Sequence, residues 1–299
     1  MGPYMSGLAE PRRDRWLSPA SPGRHGGRLG RPSQVSPPPG PRQRAAEVPG
    51  ALNRRAIASL RCPGVVAERL AAYAEQVASL LGDGLVGIYL HGSLARGCFH
   101  PATSDVDIIV VSEAPCSDTA LAQVLLAYRR AAIPLDVTFA TRSQIQRNET
   151  PAPIDCLVKM GKVFRQSEGS QDFIINRQDT YESGIALVGP RPRDVVKPVP
   201  WQTLAKALEC LFPVVLPRFK NPVLMVCRIC HAFAKHVLCS KTAAGEWALE
   251  EFNQRWRPLI QSALRDYAEG VPADAGPDES VRSFEQYCAE YVTRVRTAP

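Results

Sequence analysis

The stretch GSLARGCFHPATSDVDIIVV, Gly92 to Val111, carries two carboxylates, Asp105 and Asp107, at the mouth of an apolar, β-branched run. On a strand, residues two apart leave the same face. Two like charges held that close are costly unless a cation lies between them, and paired carboxylate oxygens suit a hard divalent ion such as Mg²⁺. Just upstream, Gly92 and Ser93 make a small turn whose backbone N–H groups can approach a phosphate closely. A third acid, Asp136, stands in IPLDVTFAT, with Leu135, Val137 and Phe139 on the opposite face. Three acids on neighbouring strands beside a Gly-Ser turn are equipment for metal-assisted nucleotidyl transfer. Asp105, Asp107 and Asp136 would surround the metal, Gly92 and Ser93 would hold the phosphates, and a carboxylate would take the proton of the attacking hydroxyl. A bare Asp-x-Asp also suits a solvated turn before a buried strand. The Gly-Ser turn and the in-phase third acid favour the metal.

These residues need strands to hold them. LVGIYLHGS and DVDIIVV read as two strands flanking the Gly-Ser turn, residues 133–141 as a third, and KVFRQ as a short further one. Helical spacing predicts a helix over 56–82 and another over 118–132, with Asp118 and Thr119 suited to its N-cap. From residue 172 onward the apolar spacing is helical, in five segments, the first being DFIINRQDTYESGIALVG. The expected fold class is α+β: a small mixed sheet with helices over 56–170, then an α-helical bundle over 171–299.

Composition bounds the rest. A chain of 299 residues, 45% hydrophobic, is long enough for two domains with real cores. Residues 1–55, rich in Pro, Gly, Arg and Ser, read as a disordered tail. The tail holds ten arginines against Glu10, Asp14 and Glu47, which equals the net charge of +7 of the whole chain. The remainder is near neutral, so the charge does not argue for a nucleic-acid partner. No uninterrupted apolar leader and no run of about 18 apolar residues occurs, so a cytoplasmic monomer without a membrane partner is expected. Nine cysteines, an odd number in apolar segments, fit reduced core thiols. Cys227 and Cys230, near His231 and His236, lack the two further converging ligands of a zinc site.

Gly92-Ser93, Gly97, Ser104-Asp105 and Asp107 together resemble the signature of the polymerase-β-like nucleotidyltransferase superfamily. The segments SGIALVGPRPRDVVKPVPWQTLAKAL and KNPVLMVCRICHAFAKHVLCSKTAAGEWALEEFNQRWRPLIQSALRDYAEG are similar to the helical domain of the aminoglycoside adenylyltransferases that modify streptomycin and spectinomycin. The resemblance implies ATP as co-substrate, Asp105 and Asp107 as Mg²⁺ ligands, Gly92 and Ser93 as the nucleotide loop, and Asp136 at the position of the general base. It further implies Tyr287 beside the ATP and phosphate contacts from Arg255, Arg257 or Arg265. Read from the residues alone, Tyr287, Trp247, Trp256 and Tyr267 suit a helical core at least as well. Several positions depart from the family, among them an aromatic of the 155–165 stretch for which Phe164 is the nearest candidate. Asp136 replaces the usual Glu, Cys230 stands where streptomycin-modifying members have Trp, and Thr242 where they have Asp, while Glu246 keeps an acid. Streptomycin is a guanidinium-bearing cation, so these losses favour spectinomycin as the small cationic acceptor. A different small-molecule acceptor, or a binding module that has lost turnover, are the alternatives.

Overall fold

The computed structural model describes residues 51–149, 151–165, 170–212, 221–271 and 279–297; the expected tail falls almost entirely outside them. The described chain opens with helices α1 (Arg54–Ala58) and α2 (Gly64–Leu81), then strand β1 (Leu85–His91), the short helix α3 (Gly92–Ala95) and strand β2 (Val106–Ser112). Helix α4 (Asp118–Ala131), strand β3 (Leu135–Thr141), the one-turn helix α5 (Arg142–Ile145) and strands β4 (Cys156–Lys159) and β5 (Lys162–Arg165) follow. Next come α6 (Gln171–Ser183), β6 (Ile185–Val188), α7 (Pro192–Val195) and α8 (Trp201–Glu209). The last helices are α9 (Pro222–Lys235), α10 (Lys241–Glu251), α11 (Arg257–Glu269) and α12 (Glu279–Thr297). The fold is α+β, with a mixed sheet in the first half and helices in the second.

Three boundaries differ from the sequence expectation, each for a local reason. The single helix expected over 56–82 is split, because Pro63 has no N–H to donate and serves as the N-cap of α2. Ser117, rather than Asp118 or Thr119, caps α4, its hydroxyl accepting from the Ala120 N–H. The segment expected to be helical through 189 ends at Gly184, and Ile185–Val188 pairs with β1 as an edge strand. The sheet therefore takes its sixth strand from beyond residue 170. Leu52 bridges Val188 and the Asn53 N–H donates to the Leu187 carbonyl, so part of the 51–55 segment is structured.

Sheet order is β5-β4-β3-β2-β1-β6, with β2 and β3 parallel and the other pairs antiparallel. Alternation sends Ile88, Leu90, Ile108, Val110, Val137 and Phe139 to one face, where they meet α2 and α4. The opposite face, with Tyr89, Ile109, Val111 and Ala140, shares a core with the helical half. In that half α9 is the central element, with buried residues on every side, and α10 and α12 pack against it. None of the described helices is long and apolar enough to cross a membrane.

Candidate active site

Register alone lines up the first candidates. His91 on β1 pairs with Asp107 on β2, Asp107 with Asp136 on β3, and Asp136 with Lys159 on β4. Directly paired residues share a face, so four titratable side chains form one row across four strands, on the face turned toward the helical half. At about 4.8 Å per strand, the row spans about 14 Å. Asp105 lies one residue before β2, beside Asp107. The row sits where β1 ends and β2 and β3 begin, directly below the Gly92-Ser93 turn.

Gly92 could not be another residue without rearrangement. Its φ is +69°, and an added Cβ would lie 2.2 Å from Asp107 Oδ2. The turn and the carboxylate are thus in van der Waals register.

A buried acid that sequence reasoning missed holds the turn from below. Asp179 on α6 accepts from the Gly92 N–H through Oδ2 at 2.7 Å, and from Arg96 Nε through Oδ1 at 2.7 Å. His91 Nδ1 stands 3.8 Å from Oδ2, at ion-pair rather than hydrogen-bond distance, and Glu182 approaches Arg96 at 3.4 Å. Burial alone would raise the Asp179 carboxyl, but His91 and Arg96 hold it well below the usual carboxylate range. His91 is raised: burial opposes its charge, and Asp179, Asp107 and Asp136 outweigh that opposition. Arg228 of α9 donates from Nε to the Cys239 carbonyl and brings a second positive charge to this corner.

Asp107 behaves in the opposite sense. Burial first, then the charges of Asp136 and Asp105, push its carboxyl up to about 7, against the pull of His91 and Lys159. Its folded pKa lies above the unfolded one, so its contribution to stability is present below about pH 4 and is lost as pH rises through about 7. Without divalent cations at pH 8, Asp107→Asn is expected to raise stability by on the order of a few kcal/mol, and the melting temperature with it. The same substitution should remove turnover. Thermal melts beside a pyrophosphate assay check both signs.

Among the described residues no three His, Cys, Asp or Glu side chains converge on a common metal position. Asp136 is instead bound through Oδ2 by the Lys159 ammonium. The all-oxygen pair Asp105 and Asp107 still fits Mg²⁺, which characteristically takes one or two protein carboxylates and completes its shell with phosphate oxygens and water. The unfavourable charge on Asp107 is what such a cation would relieve.

The helical half reaches this corner through α11. Tyr267 faces Ser104, next to Asp105, and a Cβ on Gly270 would come within 2.7 Å of His100 and Ala102. Arg255 and Arg257 lie at the other end of that helix, about 18 Å away at about 1.5 Å per residue. There Arg255 covers the rings of Trp256 and Tyr287, inside a cluster that also holds Phe252 and Phe284. Arg265 is exposed on the outer side of α11. Among the described residues no hydrogen bond, ion pair or ring contact joins Arg255, Arg257, Arg265 or Tyr287 to Asp105, Asp107 or Asp136. Thr242 and Glu246, four apart on α10, share one face, with Glu246 exposed. Cys230 is fully buried on α9, its thiol donating to the Cys288 carbonyl. Cys227 is buried beside it, as expected of core thiols.

A cavity of about 490 Å³ lies elsewhere, at the opposite end of β1, lined by Leu52, Glu75, Gly82, Leu85 and Val188.

Residues 70–163 match the nucleotidyltransferase domain, and residues 194–291 match the aminoglycoside adenylyltransferase C-terminal domain. The chain is 22% identical over 210 residues to spectinomycin 9-adenylyltransferase of Campylobacter jejuni, covering 63% of this chain and 80% of that protein. It is 26% identical over 237 residues to aminoglycoside (3'') (9) adenylyltransferase of Klebsiella pneumoniae, covering 71% and 88%. The crystal structure of spectinomycin adenyltransferase AAD(9) from Enterococcus faecialis with ATP and spectinomycin superposes with a TM-score of 0.66. That match has 16% identity and covers 76% of this chain and 98% of the other, a likeness of fold. The chain thus joins a nucleotidyltransferase domain to an aminoglycoside adenylyltransferase C-terminal domain, and is a nucleotidyltransferase similar to the aminoglycoside adenylyltransferases.

Proposed function

We propose that this chain transfers AMP from ATP to a hydroxyl of an aminocyclitol antibiotic, with spectinomycin preferred over streptomycin. The observation that carries the reading is the cross-strand row, because the sheet gives it a direction. The Gly92-Ser93 turn stands at its β1 end and suits the triphosphate, while Asp136 stands toward β4 and suits the acceptor. Asp107 lies between them, where the reacting phosphorus would pass.

In the transfer the acceptor hydroxyl gives its proton to Asp136 as its oxygen bonds to the α-phosphorus. The bond from that phosphorus to the bridging oxygen breaks, and pyrophosphate leaves with the electron pair. Gly92 and Ser93 orient the triphosphate, held in turn by Asp179 and Arg96. Asp105 and Asp107 would hold Mg²⁺, which when bound screens the charge gathering on the leaving pyrophosphate. On the acceptor side, α10 carries the exposed Glu246 and a half-buried, neutral Thr242 on one face, with Glu250 a turn further on. A site with fewer charges and no exposed aromatic platform at Cys230 favours the acceptor that does not depend on guanidinium contacts.

The test is pyrophosphate release by purified protein with ATP, Mg²⁺ and either drug. Release with spectinomycin at a kcat/KM about tenfold or more above streptomycin is expected from the loss of a stacking and a charge contact. Asp136→Asn should lower kcat by about 10²- to 10⁴-fold, the usual share of a general base. No release with either drug sinks the proposal, and full activity in Asp136→Asn reassigns the base.

A further inference from the structure

We infer that Lys159 is a positioning residue that separates Asp136 from the Asp105–Asp107 pair and so assigns it to the acceptor. This rests on the proposed transfer reaction. The acids at the start of β2 and β3 are crowded. Parallel register sets Asp136 directly beside Asp107, and one more acid, Asp105, stands next to that pair. Left to themselves, three carboxylates at that spacing would share one cation.

Lys159 changes the outcome from the opposite side. It is the registered partner of Asp136 on β4, and its ammonium bonds to Oδ2 of that residue and no other acid. Burial works against the charge on Lys159, and Asp136, Asp105 and Asp107 together restore it. A fixed positive charge on the far side of Asp136 draws its carboxylate along the row toward β4, away from the metal pair. Among the described residues no other side-chain hydrogen bond engages Asp136, so Oδ1 is left for an acceptor proton.

The arrangement also compensates for chain length. Asp136 is one methylene shorter than a glutamate and has less reach toward a hydroxyl. A tether that holds one oxygen fixes where the other points, and preorganisation of that kind carries large factors in rate. Lys159 is brought to this point by a tight hairpin, Lys159 pairing with Lys162 across Met160 and Gly161, both at positive φ.

Two measurements decide it. In steady-state turnover with ATP, Mg²⁺ and spectinomycin, Lys159→Met should lower kcat by about 10- to 100-fold while KM for ATP stays within about twofold, and Lys159→Arg should recover much of the loss. In metal-free, nucleotide-free protein followed by Mn²⁺ electron paramagnetic resonance, Lys159→Met should bind Mn²⁺ about tenfold more tightly, because the freed Asp136 joins Asp105 and Asp107. Lys162→Met, on the same hairpin, is the control and should change neither. An unchanged kcat, an unchanged Mn²⁺ affinity, or a lost kcat with lowered melting temperature and no recovery by arginine each overturns the assignment. If the wild type does not turn over with any acceptor, the transfer reading falls, and the Mn²⁺ measurement alone decides the place of Lys159.

Discussion

Gly92→Ala is expected to lose at least about 100-fold in kcat/KM, the scale on which misplacement of a reacting group by about 1 Å is felt. Two costs fall on one atom. A φ of +69° is strained for any residue with a Cβ, by about 1–2 kcal/mol. The new methyl would also stand 2.2 Å from Asp107 Oδ2 and 3.0 Å from its Cγ, so the carboxylate must rotate or the turn must lift. Either movement pulls the phosphate turn and the metal-ligand candidate out of register. Gly82→Ala, at the opposite end of β1, separates the two costs, because its φ is also positive, at +50°, but a Cβ there meets nothing within 4 Å. It should lose stability by about 1–2 kcal/mol and keep its turnover. Equal activity in the two variants would show that the contact between Gly92 and Asp107 does not matter.

The second large effect concerns stability. Asp179→Asn should destabilise the fold by about 3 kcal/mol, the low end for breaking a buried pair, since Arg96 keeps Glu182 and some access to water. The sign with pH follows from the direction of the shift. The folded carboxyl titrates below its unfolded value, so its contribution is complete above about pH 4 and is lost as pH falls below that. Wild type and variant should differ most in melting temperature at neutral pH, and the gap should narrow progressively as pH falls below about 4 toward the depressed pKa of the folded carboxyl. A gap that stays constant down to acid would mean that the charge of Asp179 contributes nothing. KM for ATP should rise in the same variant, because the Gly92 N–H loses its charged acceptor.

The sequence made some of this legible and hid the rest for identifiable reasons. Asp105, Asp107 and Asp136 could be found because each interrupts an apolar β-branched run at a position where polarity needs a reason. Gly92 and Ser93 followed from the turn between two such runs. Lys159 could not be found that way, since its strand is four residues long and has a weak pattern of two apolar positions. Asp179 belongs to a helix, 87 residues from the turn that it supports, and nothing local to QDTYES points at Gly92. Arg96 was closer to legible, because it lies within the GSLARG segment itself. In the helical half, periodicity located the helices and not their facing. Cys230 has its side chain in the core, while on the next helix Thr242 is half-buried and Glu246 exposed.

The sixth strand bears on how far the enzyme can be taken apart. β6 closes the β1 edge of the sheet, and α6, immediately before it, carries the acid that holds the Gly92-Ser93 turn; both come from the far side of residue 170. A fragment ending there would present β1 with an unpaired edge, open to pairing with other chains, and would leave Arg96 without its principal counter-charge. The catalytic half is therefore not an autonomous module with a recognition half appended. The described chain should unfold in a single cooperative transition, and the halves should regain function as separate polypeptides only if the break falls after β6.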